Sequence, residues 1–524
     1  MVITSPTTVD QQNYRVTANY YLSIILKGEA LEICFPVNSG STLVCFKVRG
    51  LISENNFQGH GWIENCSKEK DVSIIVPPHR PGFYLGTTIK GKLSVEAYSK
   101  IFWEVPIPVS SINTNWSNAP VYYSSVGSCK PSIAIKETED GCFIGLGDTP
   151  DRAVLNSIHL SRVGEKNLEK ECNDFMQRFN GIESKMLRDN IFMAIFNSNS
   201  AFIDTEDNCI MASKSPKYYV SGGFWARDFI FWTLPVIERF DQERAKVLLS
   251  LLLTKYWKHR GIHSLYLDGR VLYDGFELDQ LSYYFLALER AISLKILDPE
   301  ESLTMASQLM DLLIPWKNYG YYLFGTELNS SDDPVIYPYV TFDNVALWYS
   351  MRTYGYKVKE LLLDRTYLEF SDKIREDVMN EFVSEDMFCY SSDLKGRYEF
   401  YDDPTGSLLL LPYLGFIEKE SKVFKNTLKW IKSSSNEFEI RGNFNGLGNR
   451  HVKHPWIHSH ASQILSGIAD ESILRDITMD DGLSCETIDQ ESGRCLTGIH
   501  FPGSSGFLVQ ALLFKSEKDR IRKT

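Results

Sequence analysis

The sequence predicts a protein in two parts: an antiparallel β-sandwich over residues 1–165 and an (α/α)6 toroid over residues 166–524. Three observations predict it. Short runs rich in Val, Ile, Thr, Phe and Tyr, separated by Gly, Pro, Asn and Ser, fill the first part. About twelve helical patterns fill the second part. Alternate patterns are apolar nearly all round, which indicates an inner ring of buried helices and an outer ring of half-exposed ones.

The β-sandwich is predicted from runs of strand-forming residues that stand between turn residues. These runs are NYYLSIIL, STLVCFKVRG, DVSIIVPP, GKLSVEAYSKIFWEV and GCFIGLGD. Several short strands with regularly placed turn signals are typical of antiparallel sheets. The first of the two parts is therefore expected to fold as two packed sheets.

Unusual residues recur where the apolar helical patterns begin. The stretches are GGFWARD, DGFELDQ, YVTFDN, YDDPTGS, GLGNRHVKHPWIHSH and GIHFPGSSG. One residue in each stretch marks its position, and successive markers stand 48 to 65 residues apart, which corresponds to one helical hairpin each. The markers are Trp225, Glu277, Phe342, Asp403, His451 and His500. The inner helices of a toroid point the same way, so these six stretches are expected to converge around one funnel-shaped pocket.

Composition limits what such a pocket would bind. The 524-residue chain is 43% hydrophobic and 13% aromatic, and its formal net charge is −12. This charge argues against nucleic acid or a membrane surface as a partner, because both attract basic proteins. Aromatic rings with polar edges suit ligands that are half polar and half CH, as sugars are. We therefore expect an oligosaccharide or glycan substrate, and the oligomeric state stays open.

The cysteines and the first residues bear on location. The ten cysteines are scattered from Cys34 to Cys495 without a CxxC motif, so neither a disulfide framework nor a zinc site is predicted. The stretch MVITSPTTVDQQNYRV lacks the basic and apolar regions of a signal peptide, and no apolar run is long enough for a membrane span. These features predict reduced thiols and a cytoplasmic location.

Carboxylates in the six stretches are candidates for catalysis, and each also has a structural alternative. Asp228, Glu277 and Asp279 could serve only as acids in the first turn of a helix. Asp402 and Asp403 fit an ordinary loop, and we favour a structural role for both.

Glu486 is a further candidate, in the acid-rich stretch DDGLSCETIDQESG, which could also be a solvated loop. Hydrolysis of a glycosidic bond with inversion needs one protonated carboxyl, which protonates the leaving oxygen, and one carboxylate, which activates water. An acid from the fourth helical pattern and a base from the last hairpin would face each other across the pocket.

Four of the ten histidines lie in HVKHPWIHSH. Their spacing matches no H-E-x-x-H or comparable ligand motif, so hydroxyl recognition is favoured over a metal site. No metal and no other cofactor is predicted. A lyase or epimerase that acts through His or Tyr is an alternative.

The stretch DGFELDQLSYYFLALERA resembles a motif of glycoside hydrolase family 125, the metal-independent exo-α-mannosidases. FWARD, SLLLLPYLGF, GLGNRHV and GLSCETID are similar to further motifs of that family, in the same order, and the resemblance covers residues 215–513. It implies that Asp279 is the general acid and Glu486 the general base, and that Arg227 and Asp228 bind hydroxyls of the terminal sugar. Other residues of the converging stretches complete the predicted substrate-binding set: Trp225, Glu277, Asp343, His451 and Trp456.

Two features depart from that family. The N-terminal β-region lies outside the resemblance, and a β-sandwich before such a barrel resembles prokaryotic glucoamylase-type and archaeal debranching enzymes. Asn449 and Arg450 replace the small or Pro residues that precede the histidine. The expected function is an inverting, metal-independent, exo-acting α-glycosidase, an α-mannosidase of the α-1,6 type. The alternatives are a glucoamylase-type α-glucosidase, trehalase or glycogen-debranching enzyme, and a non-catalytic carbohydrate-binding protein.

Overall fold

The computed structural model describes residues 14–53, 56–57, 61–69, 72–89, 91–113 and 120–514. The sequence predicts no signal peptide in residues 1–16, and most of these residues lie outside the described ranges. Thirteen strands precede residue 148, and the twelve α-helices of the described residues all follow it. The change from strands to helices comes near residue 150, ahead of the boundary at residue 165 that the sequence pattern predicts, because α1 already occupies Pro150–Val163.

Two large antiparallel sheets make up the first part. One has six strands in the order β1-β2-β3-β4-β8-β9, and the other has seven in the order β10-β11-β12-β13-β7-β6-β5. The strands are β1 Arg15–Ala18, β2 Ser23–Lys27, β3 Ala30–Val37, β4 Thr42–Arg49, β5 Cys66–Glu69, β6 Val72–Ile75, β7 Gly82–Leu85, β8 Ser94–Lys100, β9 Glu104–Ile107, β10 Ser110–Asn113, β11 Pro120–Tyr123, β12 Ser132–Glu137 and β13 Cys142–Gly147.

One apolar core lies between the two sheets. It includes Leu31 and Phe46 from the six-stranded sheet and Ile74, Phe83 and Ile144 from the seven-stranded sheet, all fully buried. Because side chains alternate along a strand, the inward-facing residues of both sheets meet in this layer.

The helices are α1 Pro150–Val163, α2 Glu165–Met176, α3 Lys185–Asn197, α4 Leu234–Phe240, α5 Gln242–Leu252, α6 Leu278–Ser293, α7 Pro299–Leu313, α8 Thr341–Leu362, α9 Thr366–Glu381, α10 Lys422–Ile431, α11 Ile457–Leu465 and α12 Pro502–Val509. Helix α1 begins where Thr149 caps the backbone N–H of Arg152 and Pro150 occupies the first helical position. Both α1 and α2 pack on the seven-stranded sheet, with Leu160 and Leu168 in one cluster with Phe143.

The remaining helices share one large apolar core. A π-helical turn, Asp228–Thr233, leads into α4 and contacts α6 and α12. Helix α6 also packs on α8, while α11 contacts α12 and the turn Leu408–Leu410. These contacts run from neighbour to neighbour among the segments that the sequence predicts to be buried.

Short strands connect the helices and carry the predicted motifs. They are β14 Asn199–Ala201, β15 Asn208–Ile210, β16 Gly223–Phe224, β17 Ile262–Tyr266, β18 Val271–Phe276, β19 Tyr339–Val340, β20 Val383–Ser384, β21 Met387–Phe388, β22 Ser391–Ser392, β23 Tyr398–Glu399, β24 Glu439–Ile440, β25 Gly446–Leu447, β26 Thr487–Ile488 and β27 Cys495–Thr497. The sheet β16-β17-β18 brings the start of the π-helical turn beside the start of α6.

One predicted helix is absent from the structure. The run TGSLLLLPYLGF forms the single 3-10 turn Leu408–Leu410 and no α-helix, since Pro412 cannot continue a helix and Gly415 has φ +75°. Among the described residues, no helix combines the length and apolar character needed to cross a bilayer.

The expectation of reduced thiols is wrong for four cysteines. Cys34 is bonded to Cys45, and Cys485 to Cys495. Cys34 and Cys45 stand directly opposite each other on β3 and β4, so the hairpin itself brings the two side chains together. Cys495 begins β27, opposite Ile488 of β26, and this second hairpin brings it close to Cys485.

Candidate active site

Arg227 lies at the centre of the predicted site. Strand β16 leads into it, and its backbone N–H donates a 2.9 Å hydrogen bond to Oε1 of Gln280 in the first turn of α6. Strand β18 ends at Phe276, directly before Glu277. The two stretches GGFWARD and DGFELDQ are therefore joined through the pairing of β16, β17 and β18.

Carboxylates surround the buried guanidinium of Arg227. Nη1 donates to Oε2 of Glu277 and to Oδ2 of Asp279, both at 3.0 Å, and Nη2 donates to Oδ1 of Asp332 at 2.6 Å. Nε lies 3.8 Å from Oδ1 of Asp228. Although burial opposes the charged form, Asp279, Asp332 and Glu277 hold the pKa of Arg227 well above its ordinary value.

The crowding also acts on the carboxylates. Burial raises the pKa of Asp228 well above its ordinary value, and the charges of Asp332 and Glu277 add to the effect despite Arg227. Burial likewise raises the pKa of Glu277, opposed by His263 and Arg227. Because several carboxylates share the single cation Arg227, their mutual repulsion favours retention of a proton within this group of carboxylates.

His263 supports this cluster from β17. Its Nδ1 donates to Oε1 of Glu277, and although burial opposes the charged ring, Glu277 and Asp332 raise the pKa of His263 to about 9. The ring meets Trp225 edge-on, with centroids 5.8 Å apart. The Nε1 of Trp225 is buried and has no hydrogen-bond partner among the described residues.

Glu486 is the second buried carboxylate of the site. Its Oε1 accepts a 2.7 Å hydrogen bond from the hydroxyl of Tyr219, and its Oε2 accepts one of 3.2 Å from Thr497. Gly498 is required beside it, because a Cβ at that position would lie 2.4 Å from Cβ of Glu486 and φ is +59°. Burial raises the pKa of Glu486 to about 7, although Tyr219 and the charge of His451 oppose the rise.

His451 and Trp456 lie beside Glu486. The Nδ1 of His451 donates to Oδ1 of Asp333 at 3.1 Å, and although burial opposes the charge, Asp333 raises the pKa of His451 to about 9. The His451 ring meets Trp456 edge-on at 6.1 Å. Trp456 forms an isolated β-bridge with Thr487, the residue after Glu486.

Asp343 lies in the first turn of α8 and is fully buried. Oδ1 accepts a 3.0 Å hydrogen bond from Ser330, whereas Oδ2 has no partner among the described residues. Burial raises the pKa of Asp343 well above its ordinary value, and the charge of Asp279 adds to the rise.

The charges connect the two halves of the site. Asp332, which binds Arg227, also raises the pKa of Glu486, and Glu486 in turn raises that of Asp228. A row of aromatic rings follows the same path: the guanidinium of Arg227 lies 5.6 Å from the Trp232 ring, and Trp232 lies 4.4 Å from His458. The carboxylates around Arg227 and the carboxylate of Glu486 therefore lie close enough for their charges to act on one another.

Asp402 and Asp403 have the local roles that the sequence favours. Asp402 accepts from the hydroxyl of Ser407 and the N–H of Leu408, at the start of the turn that Leu408 begins. Asp403 accepts from Ser331 and from the N–H and hydroxyl of Thr405. Both carboxylates hold loops in place.

The histidines of HVKHPWIHSH separate to different partners. His451 binds Asp333, His454 binds Gln490, and His460 binds the carbonyl of Trp456. His458 lies among aromatic rings, and burial lowers its pKa to about 3. The stretch therefore does not direct its ring nitrogens toward one point.

Another group has donor atoms close enough together to hold a metal ion: His263, Glu277 and Asp332, within 4.8 Å of one another. Arg227 donates to both carboxylates, so its positive charge already neutralises the oxygens that a cation would use. This donor set fits a guanidinium better than a divalent cation.

Sequence reasoning missed several residues that contact the site, among them Tyr219, His263 and Asp332. Asp332 is the most exposed carboxylate around Arg227, with 27% of its side chain accessible, against 13% for Asp228 and none for Asp279. It lies in the loop stretch NSSDDP at φ +65°, an unusual backbone conformation for a residue other than glycine. Two adjacent acids in a turn between helices were the signal that could have found it.

Removal of Arg227 is expected to be costly. Arg227→Met leaves several buried carboxylates without their cation, so we expect a loss of about 3–5 kcal/mol in the unfolding free energy. Urea unfolding followed by tryptophan fluorescence measures it. The control is Arg352→Met, because Arg352 pairs with Asp372 near the surface and should cost at most about 1 kcal/mol. Equal losses in the two variants would contradict the central position of Arg227.

The chain is similar to glycoside hydrolases both in sequence and in fold. Residues 317–493, about a third of the chain, match the family model of the metal-independent alpha-mannosidases (GH125). The resemblance seen in the sequence motifs is thereby confirmed, over a shorter range than 215–513. Glu486 lies inside the matched range, whereas Arg227 and Asp279 lie before it.

One curated relative and two solved structures are also similar. The meiotically up-regulated gene 157 protein of Schizosaccharomyces pombe is 30% identical over 165 residues, and this match spans 28% of the chain and about a third (32%) of the relative. A Streptococcus pneumoniae metal-independent alpha mannosidase, in complex with alpha-1,6-mannobiose, matches 66% of this chain and 97% of its own with 15% identity and a TM-score of 0.54.

A bacterial glucoamylase, in complex with acarbose, matches 98% of this chain and 95% of its own with 12% identity and a TM-score of 0.67. At such low identity the two structures bear on the fold alone. The glucoamylase match spans both the sheets and the helices, as the resemblance of the β-region to glucoamylase-type enzymes predicts.

Proposed function

We propose that the protein is an inverting, metal-independent, exo-acting α-glycosidase that releases a terminal sugar, most simply an α-mannose, from a glycan. The observation that carries the proposal is one site with two differently held carboxylate groups. Glu486 is bound by two neutral hydroxyls, while the carboxylates around Arg227 are crowded about a single cation. Separate acid and base groups are what inversion needs.

The proposed scaffold is an (α/α)6 toroid over residues 166–524, after a β-sandwich domain over residues 1–165. The contacts of the turn Asp228–Thr233 with α6 and α12, and of α6 with α8, support an inner ring. The motif residues stand at the starts of these segments, as a toroid would require. Packing of α2 on the seven-stranded sheet ties the two proposed domains together near their boundary.

Glu486 is the proposed general base. A pKa near 7 keeps a large fraction of its carboxylate ionised at neutral pH, and a base of this pKa still accepts a proton readily. Tyr219 and Thr497 orient its oxygens, and His451 adds a positive charge that favours the ionised form. In the reaction Glu486 removes a proton from the water that attacks the anomeric carbon.

Asp279 is the proposed general acid, as the resemblance implies. It would give its proton to the leaving glycosidic oxygen and then remain as a carboxylate bound to Arg227. Asp332 is a second candidate for this role, because it binds the same guanidinium and is the most exposed carboxylate of the cluster. With either donor the protons balance, because the acid's proton goes to the leaving oxygen and Glu486 takes one proton from the attacking water.

The other predicted residues are proposed to bind the terminal sugar. Asp228 is partly accessible, and its ion pair with Arg227 is long, so its oxygens can accept hydrogen bonds from sugar hydroxyls. Trp225 and Trp456 each have a buried Nε1 without a partner among the described residues. Polar groups of this kind around one end of the ligand favour binding of a single terminal sugar, and hence removal of single units from a chain end.

The sugar is tested with a panel of α-linked disaccharides. We expect release from α-1,6-mannobiose, and slower or no release from maltose, isomaltose and trehalose, because a site built for the axial 2-hydroxyl leaves polar groups unpaired with glucose, at a cost of about 1–3 kcal/mol. Cleavage of the glucosides alone would replace the mannosidase proposal by the glucosidase alternative. Binding without cleavage of any of them would favour a carbohydrate-binding protein.

Activity is expected to depend on the ionisation of Glu486. The base works as a carboxylate, and burial raises its pKa to about 7, so protonation inactivates it as the pH falls through 7. We expect kcat/KM to drop about tenfold for each pH unit below that value. The acidic side of the kcat/KM profile then reports the titration of Glu486 in the free enzyme. A profile that stays flat down to pH 5 would contradict the base role of Glu486.

A further inference from the structure

We infer that a second pocket, beside the candidate active site, binds the sugar units that lie beyond the first one on the reducing side of the cleaved bond. This inference rests on the proposed function and extends it, because it predicts a preference for oligosaccharides over disaccharides. The pocket has a volume of about 440 Å³, within the range of small-ligand sites. Its lining includes Ile336, Glu399, Phe400, Tyr401, Phe438 and Arg450.

Arg450 is held in place within this pocket. Its Nη2 donates a 3.0 Å hydrogen bond to Oε1 of Glu399, and Oε2 of Glu399 accepts one of 2.6 Å from Ser391. The guanidinium carbon lies 5.2 Å from the centre of the Tyr401 ring. About a third of the Arg450 side chain (31%) is exposed, so further N–H groups can donate to a ligand.

Aromatic rings form the floor. Tyr401 and Phe438 are nearly buried and meet edge-on with centroids 5.3 Å apart, and Tyr401 packs at 3.9 Å on Tyr390. Phe400 lies beside them, 5.9 Å from Trp430. Aromatic side chains next to a fixed fork of N–H donors match a pyranose, which presents CH groups and a rim of hydroxyls.

Two short chain segments connect the pocket with the active site. Arg450 precedes His451, which binds Asp333, and Asp333 follows Asp332 at the guanidinium of Arg227. Ile336, on the far side of the same loop, lines the pocket. A chain whose terminal sugar lies near Arg227 would therefore extend over this loop toward Arg450.

The charges favour a neutral ligand. The lining carries two acids and two bases, because Glu437 and Lys453 lie there as well as Glu399 and Arg450. Glu399 pairs with Arg450, so this guanidinium has its counter-charge before a ligand arrives. The pocket thus suits neutral sugar units rather than phosphate. Arg450 also lies where the sequence departs from the family that its motifs resemble, because Asn449 and Arg450 replace small or Pro residues before His451.

The test measures binding of sugars of different length. Glu486→Gln is introduced in the full chain to prevent turnover. Two series of sugars are then titrated by calorimetry: α-1,6-mannobiose with α-1,6-mannotetraose, and maltose with maltotetraose. In one of the two series the tetrasaccharide should bind about tenfold more tightly than the disaccharide. Adding Arg450→Ala should remove that difference and leave the disaccharide Kd unchanged.

Arg352→Ala is the matched control. Arg352 pairs with Asp372 and lies over aromatic rings, with 30% of its side chain exposed, but in a different pocket that also contains Tyr356 and Arg375. It should keep the tenfold difference. Arg450→Lys, which keeps the charge without the planar fork, should lose most of it and serves where Arg450→Ala does not fold.

The outcomes separate the pocket from the activity. If neither tetrasaccharide binds more tightly than its disaccharide, or if Arg450→Ala keeps the difference, the inference is overturned whatever the enzyme cleaves. If the unmutated chain cleaves no glycoside yet the length-dependent binding needs Arg450, the pocket stands and the proposed hydrolysis fails.

Discussion

Glu486→Gln is expected to lower kcat by about 10²–10⁴-fold, with little change in the unfolding midpoint. The amide has nearly the same shape as the carboxylate but cannot take a proton from water. It can still accept a hydrogen bond from Tyr219, so the surrounding contacts largely survive. Initial rates of sugar release and a thermal unfolding curve for the same preparation provide the measurement.

The control for this variant is Glu32→Gln. Glu32 is also buried, but in β3 of the six-stranded sheet, where its partners are Lys47 and Lys217. Its kcat should stay within about twofold of the parent, because Glu32 takes no part in the proton transfer that general-base catalysis requires. A Glu486→Gln enzyme as active as Glu32→Gln would show that Glu486 is not the base.

Asp279→Asn is expected to lower kcat for a disaccharide by about 10²–10⁴-fold, because the amide cannot protonate the leaving sugar. An activated aryl α-glycoside provides a sharper measurement. A nitrophenolate leaves without protonation, so its release should be slowed far less than release of a sugar. A purely structural defect would slow both substrates alike.

Asp332→Asn is the comparison that assigns the acid. Asp279 and Asp332 both bind Arg227, so each substitution disturbs the same guanidinium. If Asp279 is the acid, only Asp279→Asn should show the dependence on the leaving group. That dependence in Asp332→Asn instead would move the acid role to Asp332, one loop further along the chain.

Local patterns predicted much of the fold and marked the stretches from which the candidate site is built. Runs of strand-forming residues between turn residues predicted strands such as β4 and β13, and Gly223 with Trp225 marked the entry to a buried turn. The acids of DGFELDQ were expected in a first helical turn, and Asp279 lies there at the start of α6. Periodicity and helix-start residues are properties of a few neighbouring residues, so the sequence displays them directly.

Contacts between distant residues were not predictable in the same way. Tyr219 reaches Glu486 across 267 positions, and Asp332 reaches Arg227 across 105. Neither pairing follows from any local period, because it depends on how the loops meet after the helices have packed. The Cys34–Cys45 bond is different, since two cysteines on adjacent strands of one hairpin could have been paired by their register.

The anomer of the first sugar released tests the central claim, that separate acid and base groups act here with inversion. The unmutated enzyme is mixed with the α-linked disaccharide that it cleaves, and the anomeric proton of the product is followed by ¹H NMR before mutarotation. Attack of water activated by Glu486 on the face opposite the leaving group predicts that the β-anomer appears first. Initial appearance of the α-anomer would mean a covalent intermediate and would contradict the proposed roles of Asp279 and Glu486.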